Sequence, residues 1–247
     1  MRNFLAWLLV AVAAFLAAPA MAADIPEYPD IPEVDYELGG SFYLRGSAAI
    51  NLHWAREVNH PDACGFCGAF PTNQLGYGYS WGAGFGYETG DGLRFDATID
   101  SIETRGLRIT KTGFGAPIDG DYTLMLRSTV ALANIYYDFG FGGGGFGYRG
   151  EGGAFGYVGA GVGAAWNHAE VNGPQANPIP TGGNISAAAA VMAGVGYDMG
   201  TWVADLGYRA VYINQINNSP TTDPGYYYTI DHNLIHELRG TIRYRFN

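Results

Sequence analysis

Few residues in this chain have the types and spacing that chemistry needs. The 247 residues include five histidines and two cysteines, with 23 acids against 13 bases. His232 and His236 follow Asp231, and His53 lies far upstream. Four residues along an extended strand span about 13 Å, too far for His232 and His236 to hold one metal ion. No His-x-Ser pair of the lipid-deacylase kind occurs, and His168-Ala169-Glu170 follows the cysteines, opposite to the zinc-deaminase order. Cys64-Gly65-Phe66-Cys67 lacks the βαβ setting of a redox motif and further ligands for a metal, so a loop disulfide is expected. Gly140 to Gly145 fits G-x-G-x-x-G, but no helix follows to cradle a phosphate. The expectation is no catalytic residue, no metal and no cofactor, with the histidines at a rim.

The remaining candidates are ion pairs, and they sit in segments of period two. Phe42, Leu44, Ile50, Leu52 and Trp54 alternate with Tyr43, Arg45, Asn51 and His53. Leu75 to Tyr87 interleaves aromatics with glycines, Ser80 and Glu88, and Leu93 to Ile99 interleaves with Arg94, Asp96 and Asp100. Leu124, Leu126, Ser128, Val130 and Leu132 alternate with Met125, Arg127, Thr129 and Ala131, and the phase slips near Ala133-Asn134 as a bulge would cause. Val158 to Trp166, Ile185 to Tyr197, Trp202 to Tyr212 and Leu234 to Phe246 continue the pattern, the last two carrying Asp205, Arg209, Glu237, Arg239 and Arg243. These are eight strands, apolar on one face, and no amphipathic helix remains to cover that face. A soluble sandwich would bury the charges at several kcal/mol each unless paired. Apolar-out and polar-in segments of about ten residues are the pattern of a transmembrane barrel. The fold expected is all-β: an eight-stranded antiparallel up-and-down transmembrane β-barrel.

Thr89-Gly90-Asp91-Gly92 and Asp198-Met199-Gly200-Thr201 read as tight turns, and 55–73, 103–120, 168–183 and 214–231 as longer outer loops. Asp138 to Gly153 is long for a turn, which leaves ten strands open around 138–156. An eight-stranded barrel is just wide enough for side chains to fill. The ten lumenal charges above and Arg127 are expected to plug it through arginine–carboxylate forks, the alternative being a charged constriction that selects ions. Trp54, Trp81, Trp166, Trp202, Tyr212 and Tyr244 are outward-phased and fit interfacial girdles.

Targeting and composition agree. Arg2, the apolar run Phe4 to Ala18 and Ala20-Met21-Ala22 form a signal peptide over 1–22, too short to span a bilayer. Residues 23–40, with three prolines, six acids and no base, form an extended acidic tether, leaving 41–247 for the barrel. The 38 glycines and 36 aromatics (5 Trp, 18 Tyr and 13 Phe) suit a strand-rich chain, and a net charge of −10 offers nothing to nucleic acid.

Ala133 to Phe139 (ANIYYDF), Tyr157 to Gly163 (YVGAGVG), Asp205 to Arg209 (DLGYR) and His236 to Phe246 (HELRGTIRYRF) resemble the opacity-porin and outer-membrane-protein-A-like barrels of Gram-negative bacteria. The likeness covers roughly residues 40 to 247. It implies a role in envelope structure and surface contact, antigenicity, weak porin-like conduction in some members, and no catalytic residues. It also implies partners: outer-membrane lipids and lipopolysaccharide, surface or host ligands at the outer loops, and the barrel-insertion machinery. That machinery would read Phe246, here followed by Asn247. A narrow diffusion channel is the alternative function, and an outer-membrane lipid hydrolase a more distant one.

Overall fold

The computed structural model describes residues 40–60, 68–141, 153–175, 178–219 and 226–246. The signal segment, the tether up to residue 39 and the pair Cys64 and Cys67 lie outside the described residues.

Alternating residues form β1 (Ser41–Trp54), β2 (Glu57–His60), β3 (Gly68–Gln74), β4 (Gly76–Glu88), β5 (Leu93–Lys111), β6 (Gly120–Gly140), β7 (Gly153–Asn172), β8 (Gly182–Asp198), β9 (Trp202–Asn217) and β10 (Thr229–Phe246). The eight long strands pair antiparallel in the ring β1, β4, β5, β6, β7, β8, β9, β10. β10 closes on β1 from Phe42↔Phe246 to Trp54↔Leu234. Closure joins the two ends of the sheet, which is what lipid demands of a β-structure.

β2 and β3 are short continuations of β1 and β4 that pair with each other. The extra hairpin therefore lies in the 55–73 connection. Of the 138–156 region considered for it, 142–152 lie outside the described residues. β5, β6 and β7 run for 19, 21 and 20 residues, well past the roughly 9–11 that cross a bilayer. Residues 103–111 and 168–172, expected within loops, thus continue the barrel wall. At the opposite end the turns stay tight, with Thr89 N donating to Leu93 O at 2.9 Å and Met199 N to Trp202 O at 2.9 Å.

Outside the ring, Leu44, Ile50, Phe85, Ile99, Val162, Val191, Leu206 and Ile242 stand half or more exposed in one lipid-facing band. β6 departs from its expected phase. Leu124, Leu126, Ser128, Val130 and Leu132 are buried inside, and Arg127 points outward. Its ladders run unbroken through Ala133 and Asn134 on both sides, so no bulge sits there. What changes at Asn134 is the interior, from apolar above to polar below. The true register shift is on β5, between Arg105 and Leu107, where Gly106 takes φ of +83°. It turns Leu107 and Ile109 inward, so the extension has an apolar core and a wet exterior.

One ladder is incomplete. β7–β8 pairing extends to Ala169↔Gly182 and β9–β10 pairing to Thr229↔Asn217, but β8–β9 pairing stops at Ala188↔Ile213. Side-chain amides bridge the gap. Asn184 Nδ2 donates to Gln215 O at 3.0 Å, its Oδ1 accepts from Asn217 N at 3.2 Å, and Asn167 Nδ2 also reaches Gln215 O at 3.2 Å.

Candidate functional site

Strand alternation delivers the charged residues to the lumen. Glycines on β4 and β7 make room for them: a Cβ at Gly82 would overlap the Asp100 carboxylate, and one at Gly161 the Asn134 amide. The deepest cluster is a square of four charges. Asp100 accepts from Arg209 and Arg239 at 2.7 Å each. Glu237 accepts from the same two guanidinium groups at 2.5 and 3.0 Å, and from Ser80 Oγ at 2.6 Å. All four charged side chains are at least nine-tenths buried. Carboxylates that each bridge two arginines compensate the desolvation that isolated ions would suffer.

Nearer the turns, Arg45 Nη1 donates to Asp96 at 2.8 Å and to Tyr136 Oη at 2.7 Å, and Tyr43 Oη donates to Asp96 at 3.0 Å. Arg94 pairs with Asp138 at 3.0 Å and lies 4.1 Å over the Tyr136 ring. Arg243 is placed among Glu88, Asp205 and Asp138 at 3.3, 3.7 and 3.9 Å. Arg245 seals the turn end with Asp198, at 2.6 Å, and Glu88. Between the layers, Arg45, Arg94, Asp205, Arg209 and Arg239 line a cavity of about the size of one water molecule.

The lumen thus brings together ten of the eleven charges named from sequence. Arg127 is the correction: its side chain is 63% exposed and meets Glu103 at 3.4 Å on the outer face. Its apparent lumenal phase came from assigning Leu124 to Leu132 to lipid. Sequence reasoning missed Asp138, Asp198 and Arg245. Arg245 was legible, since it extends the inward series from Glu237 through Arg243, whereas the sequence reads Asp138 as the start of the connection to Gly153, and β6 in fact runs on to Gly140.

A second cluster fills the extension. Lys111 is fully buried, with Nζ 3.0 Å from His60 Nδ1 and 3.1 Å from Tyr228 Oη. The rings of Phe70, Tyr122 and Tyr228 each lie 4.8 Å from that ammonium. Burial pushes the lysine down to about 8 and raises the Tyr122 and Tyr228 phenols.

Among the aromatics, Trp202 and Tyr244 pack at 4.9 Å near the turn end, and Phe246 meets Tyr244 at 5.4 Å. Trp54, Trp81 and Trp166 are exposed outward, with Trp81 mid-strand opposite Ser101. Tyr212 Oη lies 2.6 Å from His232 Nδ1, and Tyr208 pairs with His236 in the same way. His53 is buried against Asn233 Oδ1 at 3.0 Å. Among the described residues no group of three or more His, Cys, Asp or Glu could hold a metal ion.

No protein family and no curated protein matches the chain. Among solved structures it is similar to Neisserial surface protein A, with 21% identity over 84% of this chain and 99% of that one, at a TM-score of 0.47. It is similar to Ail, the attachment invasion locus protein of Yersinia pestis, with 14% identity over 84% and 99% at a TM-score of 0.39. It is also similar to the outer membrane protein AlkL, with 14% identity over 90% and 97% at a TM-score of 0.44. The barrel assignment rests on the closed register of β1 with β10.

Proposed function

We propose that this chain is a non-catalytic outer-membrane barrel with a structural and surface-contact role. Its tight turns then face the periplasm and its long strands carry a rigid extension outside. The observation that supports this reading is the lumen, crossed by the square of Asp100, Arg209, Glu237 and Arg239 and topped by an apolar core around Leu107, Leu124 and Ile213. Such a wall holds the outer hairpins in place, and the charge square spans the lumen that a conducting path would have to cross. Planar-bilayer recording on the purified protein tests it: no steady unitary conductance is expected, and large stable openings would overturn the plugged barrel. A narrow channel is the second reading, favoured by the small arginine-lined cavity beside Asp205. Under that reading, Arg209→Ala raises an existing conductance instead of creating one.

A further inference from the structure

The space between the two charged layers of the lumen is uneven in charge. Arg45, Arg94, Arg209 and Arg239 line the cavity there, together with Asp205 and the rings of Tyr136 and Tyr157. The carboxylates that pair with these arginines, Asp96, Asp138, Asp100 and Glu237, are not part of its lining. Among the described residues, four guanidinium groups therefore face one carboxylate. Asp205 is itself engaged by Tyr157 Oη, which donates at 3.3 Å, and by Arg243 Nε at 3.7 Å.

Hydrogen-bond demand is one-sided in the same sense. Arg45 Nε, Arg94 Nε and Arg209 Nη2 are buried and meet no acceptor among the described residues. Their side chains are 7%, 2% and 4% exposed, so bulk solvent does not satisfy them. The buried oxygens that lack a donor, Asn51 Oδ1, Asn134 Oδ1, Asp198 Oδ2 and Thr229 Oγ1, all belong to residues outside the lining. The cavity thus gathers three unmet cationic donors from β1, β5 and β9, no two of which are neighbours in the ring, and no unmet acceptor. A water molecule accepts from two donors at most and has two protons of its own to place. An anion accepts from all three and has none, and charge-assisted bonds from guanidinium groups offset its desolvation. Room for about one water molecule excludes phosphate, sulfate and carboxylates and leaves a monatomic ion.

We propose that this cavity binds a single monovalent, monatomic anion of the chloride class, held by Arg45 Nε, Arg94 Nε and Arg209 Nη2. The ion ties the charge square to the layer nearer the turns and joins three separated strands across the lumen. Asp205 sets the strength of the site, because its carboxylate is the repulsive charge in the lining. The site is separate from the surface-contact role above and requires only the closed barrel.

Equilibrium dialysis of the purified, refolded barrel against radiolabelled chloride in sodium gluconate tests it, with the folded gel band of unheated samples as the control for folding. Wild type should take up chloride saturably, at about one ion per barrel. Bromide should displace it and sulfate should not. Arg209→Lys keeps the charge of the square but has no Nη2, and should weaken uptake at least about tenfold, whereas Asp205→Asn should tighten it by a similar factor. Absence of saturable uptake by the folded wild type overturns the site and leaves water as its occupant. Displacement by sulfate as readily as by bromide overturns the monatomic class. Unchanged affinity in Arg209→Lys overturns the assigned donors. Should that variant fail to fold, an Asp205→Asn barrel that binds chloride no more tightly than wild type decides against them.

Discussion

Adjacent residues on β6 face opposite solvents, and Leu126 is buried in the extension core while Thr129 is exposed outside. Leu126→Ala should therefore cost about 2–5 kcal/mol through lost burial and a cavity. Thr129→Ala should stay within about 0.5 kcal/mol, as most surface changes do. Urea-induced loss of the folded gel band in vesicles measures both, and the opposite ranking would restore the lipid-facing assignment of Leu126. Lys111 makes a pH prediction. Its folded pKa, about 8, lies below the usual 10.5, so between those values the unfolded chain binds the proton that the folded one releases. Stability should rise as pH increases from about 8 toward 10. Above that, the raised Tyr122 and Tyr228 act in the opposite sense, because the folded state keeps protons the unfolded state loses. Melting curves across this range should show the rise in wild type and lose it in Lys111→Met.

At the scale of elements, the weak place is the β8–β9 seam. Backbone ladders hold each of these strands to its other neighbour along its length, but beyond Ala188↔Ile213 the seam is held by Asn167 and Asn184 and by one backbone bond, Gly183 N donating to Ser219 O at 2.6 Å. Side-chain amides bond no better than the backbone and must be ordered to do so, which costs entropy. Hydrogen exchange should be faster at residues 214–217 than at the paired residues 203–213, and Asn184→Ala should accelerate it further. Uniform protection along β9 would show that the seam is as firm as the rest. His232 lies close by, with φ of 56°, a left-handed conformation that non-glycine residues rarely adopt. Next to it Asn233 keeps the inward phase of Ile235 and Glu237, and its side chain meets His53 and donates to Ile213 O at 3.3 Å.

At the scale of the whole molecule, the barrel divides into a charged lower lumen inside a lipid-facing wall and an apolar upper core inside a wet one. Val162, 68% exposed at the centre of β7, belongs to the lipid band. Val162→Arg should destabilise the inserted barrel by about 2–4 kcal/mol if that point lies at mid-bilayer. Denaturant titration in vesicles checks it, and insertion as stable as wild type would contradict the in/out phase of β7.

Much of this was legible in sequence, for a physical reason. In a strand, neighbouring side chains must face opposite sides, so Arg45, Arg94, Arg209, Glu237, Arg239 and Arg243 declared their face by spacing alone. The number of long strands and the inward glycines of β4 followed from the same rule. Two things needed the tertiary structure. Spacing reports which residues share a face but not which face meets lipid, and beyond the bilayer the preference reverses; this misplaced Arg127. Partner choice was the other: whether Asp100 meets Arg209 or Arg45 depends on barrel register, which is set by closure around the whole ring and by a one-residue bulge at Gly106 that no alternation reveals.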